Sequence, residues 1–91
     1  MSAKEIREYL ADLNPEAELM DGFDDALVGV VCQFSNGPLA LYDRNKCIKT
    51  LMDRDGMTWE GAEEFFSFNC EGAWVGPNTP CIAVFGDELT L

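Results

Sequence analysis

The stretch that decides the fold is Ala26-Leu27-Val28-Gly29-Val30-Val31-Cys32-Gln33-Phe34, then Ser35-Asn36-Gly37-Pro38, then Leu39-Ala40-Leu41-Tyr42. The first run is rich in valine and leucine and carries no charge, which reads as a largely buried strand. Asn-Gly between two apolar runs is the strongest short-range hairpin signal, because both residues accept positive φ. Residues 26–34 and 39–42 are therefore expected to pair as an antiparallel hairpin.

Upstream, Ser2 and Glu5 stand at the spacing of a capping box. Ile6, Tyr9, Leu10 and Leu13 follow at helical intervals, and Asn14-Pro15 closes the run, since the residue before proline disfavours the α region. A helix is expected over 3–13. The short segment 16–20 reads as loop or as a brief strand, and residues 21–25 form an acidic turn.

Downstream, Asp43 can cap a helix over 43–55 whose apolar stripe is Cys47, Ile48, Leu51 and Met52. Gly56 ends it as a left-handed residue. Thr58 caps a third helix, over 59–70, with Trp59, Ala62, Phe65, Phe66 and Asn69 on one side and Glu60, Glu63, Glu64 and Ser67 on the other. Gly61 inside that helix costs about 1 kcal/mol against alanine. After Gly72, Gly76 and Pro77, residues 81–85 read as a final strand. The expected fold is α+β: a single domain with a small antiparallel sheet and helices on one face.

Charge is the other strong feature. The 91 residues carry a net charge of −11, with a pI near 4.1, yet 47% of them are hydrophobic. That apolar fraction supports a folded core and argues against disorder. Residues 1–25 hold two bases against eight acids, and residues 26–54 four bases against two acids. Past Arg54 there are seven acids and no base: Asp55, Glu60, Glu63, Glu64, Glu71, Asp87 and Glu88. Such a field repels nucleic acid and anionic membranes and draws in basic protein surfaces. The plainer reading of the acidity is solubility.

Chemistry is narrowed by what the chain lacks. There is no histidine, so neither a Ser-His-Asp nor a Cys-His site can be built. Cys32, Cys47, Cys70 and Cys81 contain no Cys-x-x-Cys pair, so zinc-ribbon and thioredoxin-type motifs are absent. Met1 leads straight into a charged segment, with no signal-peptide pattern and no apolar run of membrane-spanning length, which sets reduced, mostly buried thiols as the expectation. Cys47 lies between Lys46 and Lys49, but its place on the apolar stripe favours an inert thiol. Asp53, Asp55 and Glu64 have a trace of calcium-loop spacing. Met57 and Thr58, however, stand where that loop needs an oxygen ligand and a glycine. Asp21, Asp24 and Asp25 can hold a hard cation only loosely. No phosphate loop or dinucleotide fingerprint is present.

Several blocks together resemble a family of small acidic proteins encoded by phages and prophages. They are Tyr42-Asp43, Lys46-Cys47-Ile48, Leu51-Met52-Asp53-Arg54-Asp55-Gly56-Met57-Thr58, Glu60, Ala62, Phe65-Phe66, Phe68-Asn69, Gly72-Ala73-Trp74-Val75-Gly76 and Thr79-Pro80, with Asp21-Gly22-Phe23-Asp24-Asp25-Ala26 upstream. The likeness covers about residues 17–85. It implies a phage origin and the host cytoplasm, and it brings no catalytic residue. Small acidic phage proteins often act by occupying a host protein's nucleic-acid-binding surface, which is an analogy independent of fold.

The expected function is accordingly non-catalytic: binding a basic surface of a host protein and inhibiting a nucleic-acid-handling or defence system, in the manner of an anti-CRISPR protein. The alternatives are a phage accessory or assembly protein whose acidity only keeps it soluble, and, less favoured, a small metal-dependent enzyme. The candidate partner-binding residues are Glu60, Glu63 and Glu64, with Glu71 at their rim, a second patch at Asp24 and Asp25, and Trp74 as an aromatic anchor or a core plug. No cofactor, no metal and no direct nucleic-acid or membrane partner is expected.

Overall fold

The computed structural model describes residues 1–32, 37–71 and 76–86. Chain order is α1 (Ala3–Leu13), a 3₁₀ turn (Asp24–Ala26), β1 (Leu27–Val31), β2 (Leu39–Asp43), α2 (Arg44–Asp55), α3 (Trp59–Phe66), a π-helical turn (Ser67–Glu71) and β3 (Cys81–Ala83). The α+β reading holds. The Asn36 half of the expected hairpin turn lies outside the described residues.

Each helix starts and stops for a local reason. The Ser2 hydroxyl accepts from the Glu5 amide at 3.2 Å, and the Glu5 carboxylate accepts from the Ser2 amide at 3.1 Å, completing the capping box. Those bonds hold the Glu5 carboxyl below its ordinary range, the Ser2 backbone donor contributing most. Asp43 accepts from the Asn45 and Lys46 amides at 3.0 and 3.3 Å, and Gly56 closes α2 at φ +68°. Thr58 accepts from the Gly61 amide at 3.1 Å. Gly61 thus sits in the first turn, where a Cβ would stand 3.2 Å from the Thr58 hydroxyl. Its cost to the helix is offset by room for the cap.

The sheet has the order β1-β2-β3. β1 and β2 are antiparallel, with a bulge between Leu27 and Gly29. β3, in contrast, lies parallel to β2, so the sheet is mixed and not wholly antiparallel as expected. The connection explains the difference. The chain leaves β2, passes through both helices and returns through 76–80, and a long helical crossover is what parallel neighbours require. The last strand is also shorter than 81–85: Val84 and Phe85 are exposed beyond it.

One sheet face meets the helices. Leu27, Ala40 and Tyr42 belong to the buried cluster, with Val30 and Ile82 against it; from the helices come Ile6, Leu10, Cys47, Ile48, Leu51, Ala62 and Phe66. Phe23 joins them, edge-on to Phe66 with ring centroids 6.0 Å apart. Tyr42 is fully buried, yet its hydroxyl is satisfied, accepting from the Met20 amide at 2.9 Å. That bond orders the 17–20 segment, which runs as loop, and Glu18 donates from its amide to the Asn78 carbonyl at 3.0 Å.

The helical stripes are narrower than their spacing implied. In α1 only Ile6 and Leu10 are buried, while Tyr9 and Leu13 are about half exposed. In α3 only Ala62 and Phe66 are buried; Trp59 and Phe65 stand 37% and 42% exposed.

Candidate functional site

The surface around α3 gathers the features that point to binding. Thr58 fixes the start of the helix, and burial of Ala62 and Phe66 fixes its rotation. Glu60, Glu63 and Glu64 are thereby turned away from the core. With Ser67 and Phe68 they line one shallow hollow. Glu60 and Glu64 are exposed and carry no ion pair to a described residue.

α-Helical geometry ends at Phe66, earlier than the expected 70. Over Ser67–Glu71 the backbone widens into a π-helical turn, a feature often found at functional sites. Arg44, from the start of α2, braces it. Its Nε donates to Glu71 Oε1 at 2.9 Å and its Nη2 to the Ser67 hydroxyl at 3.2 Å, while that hydroxyl lies 3.2 Å from Glu71 Oε1. Glu63 lies at the edge of the same guanidinium, 3.9 Å away. Asn69 caps the preceding turn by donating to the Phe65 carbonyl at 3.0 Å.

The expected site residues therefore divide. Glu60, Glu63 and Glu64 are brought together as anticipated. Glu71 is held by Arg44, with its side chain still partly exposed. Asp24 is likewise paired, 2.6 Å from Arg7, yet it stays exposed, as do Asp21 and Asp25 of the same turn. Trp74 lies outside the described residues. Among the described residues, no group of three or more His, Cys, Asp or Glu is placed to hold a metal ion.

Phe68 was not singled out in advance. It is 77% exposed, the most exposed aromatic ring among the described residues, and it lies beside the three glutamates. A signal for it existed. At 3.6 residues per turn, position 68 falls roughly 120–160° around the axis from Ala62 and Phe66. A phenylalanine there cannot share their burial.

Among the thiols only Cys47 is buried; Cys32 is exposed and Cys70 and Cys81 are half-buried, in contrast to the mostly buried set expected. Burial pushes the Cys47 thiol up to about 12, reinforced by the neighbouring Cys70 and by Asp43. Burial also raises Cys70. Neither is a thiolate at neutral pH.

Comparison with protein-family models, with curated proteins and with solved structures finds no match. No helix among the described residues is long and apolar enough to cross a membrane.

Proposed function

We propose that this chain is a non-catalytic binding protein of phage type that docks the Glu60–Glu64 face of α3 onto a basic surface of a host protein in the cytoplasm. Its effect there is to block a nucleic-acid-handling or defence function. The observation that carries this reading is the pairing of uncompensated Glu60 and Glu64 with a projecting phenylalanine on one shallow surface.

The two parts do different work. The carboxylates, backed by a chain of net charge −11, steer a basic partner into contact and set its orientation. Phe68 then supplies the desolvated apolar contact that dominates affinity at the centre of an interface. Arg44 neutralises Glu71 and draws on Glu63, so the attraction concentrates on Glu60 and Glu64.

The test is capture from the host with the tagged full chain, followed by mass spectrometry. A basic, nucleic-acid-binding protein should be recovered and should be released by a high-salt wash. Recovery of no such protein, or of one equally retained by a chain with Glu60→Lys and Glu64→Lys, overturns the reading.

A further inference from the structure

β1 is an outer strand of the sheet, with β2 on one side and no described strand on the other. It reads Leu27-Val28-Gly29-Val30-Val31, without a charge or a proline. Edges are normally blunted by lysine, proline or an inward charge. Among the described residues β1 has its bulge after Leu27 and no other such device, and from Gly29 to Val31 it is regular, in register with Leu41 to Leu39.

The surroundings match the strand. Between α1 and β1 runs a groove of about 340 Å³ lined by Met1, Ile6, Tyr9, Val28, Gly29 and Val30, none with a charged side chain. The hollows beside α3 and beside the 18–21 segment both carry acids in their walls. Residues 26–42 hold no charged side chain, in a chain with 17 acids and 6 bases. A Cβ built on Gly29 meets nothing within 4 Å, so the sheet face is open at that residue and can take a larger side chain without a clash inside the chain.

We propose that this edge takes a second copy of the chain, β1 against β1, antiparallel about a two-fold axis at Gly29, making one six-stranded sheet. The charge distribution selects the occupant. Two bodies of net charge −11 repel wherever their acids meet, and the uncharged strip is where they can approach. A basic partner gains nothing from a neutral edge. The strip is also self-complementary, as a two-fold contact demands: Val28 lies opposite Val30 of the second copy, and Leu27 opposite its Val31. Main-chain hydrogen bonds supply the pairing, and the groove receives alternate side chains, as in strand addition generally. Such a dimer presents two α3 faces, which strengthens attachment to a partner with repeated basic sites.

Sedimentation equilibrium on the full chain tests this independently of any host partner. The mass should rise with concentration from 10.1 kDa to twice that value. The dimer should tighten as NaCl goes from about 0.05 to about 0.5 M, because salt screens the like charges. Gly29→Lys puts two lysines face to face on the axis and should abolish the dimer with an unchanged circular dichroism spectrum. Gly29→Glu should do the same. Mixing the two variants in equal amounts should restore the doubled mass. A wild-type mass of 10.1 kDa at every concentration and salt overturns the proposal. So does a dimer that survives Gly29→Lys, or a mixture that stays monomeric.

Discussion

Arg44 Nε lies 2.9 Å from Glu71 Oε1, and this contact joins the first residue of α2 to the last residue of the π-helical turn. The guanidinium is only 17% exposed and reaches Ser67 as well. Arg44→Met should therefore destabilise the chain by about 1 kcal/mol, more than a lone surface pair. Urea unfolding measures it. No change in midpoint would mean that Arg44 does not hold the turn.

Two phenylalanines two positions apart should behave oppositely. Phe66 is fully buried against Phe23, and Phe66→Ala should cost about 3–5 kcal/mol. Phe68→Ser should leave stability within about 0.5 kcal/mol, since the ring is already in water. The same Phe68→Ser should weaken capture of the host partner.

Gly22 holds φ +83°, and a Cβ there would run into the Arg54 guanidinium. That guanidinium donates to the Gly22 carbonyl at 3.1 Å and stacks over Phe23 at 5.4 Å from the ring centroid. Gly22→Ala should therefore cost about 1–3 kcal/mol, from backbone strain and from displacement of Arg54. Arg54→Ala combined with Gly22→Ala should cost less than the two changes summed, which a double-mutant cycle reads directly.

The buried Cys47 makes stability fall in alkali. Its folded value is about 12 against an ordinary 9.0, so between those limits the folded chain binds the proton that the unfolded chain has lost. Stability from this group is complete below pH 9.0 and is lost as pH rises toward about 12. Burial raises the Tyr42 hydroxyl as well, in the same direction. Denaturant midpoints should drop across that range, and the drop should be smaller in Cys47→Ala. At neutral pH a thiol reagent should label exposed Cys32 in the folded chain and reach Cys47 only on unfolding.

Local signals read well. Ser2, Asp43, Gly56 and Thr58 cap or close their helices where the sequence places them, because capping depends on residues at most four apart. The stripe of α2 is right for the same reason: its buried members, Cys47, Ile48 and Leu51, follow from spacing alone.

What was not legible depends on contacts distant in sequence. The direction of β3 is set by where 76–80 return, and no pattern within 81–85 encodes it. Arg7 reaches Asp24 and Arg44 reaches Glu71 across 17 and 27 residues, and no local pattern announces either pair. Trp59 and Phe65 looked buried because apolar residues were assigned to one face by type. The core had room for only Ala62 and Phe66. The α3 acids were legible because nothing basic follows Arg54.

The α3 face carries the proposed contact, and a titration tests it. The captured host protein should be titrated with the wild-type chain and with the Glu60→Lys, Glu64→Lys double variant, once both are shown to unfold at similar midpoints. A loss of about tenfold or more in affinity, with a shallower salt dependence, is the predicted result. Equal affinity and equal salt dependence would contradict it.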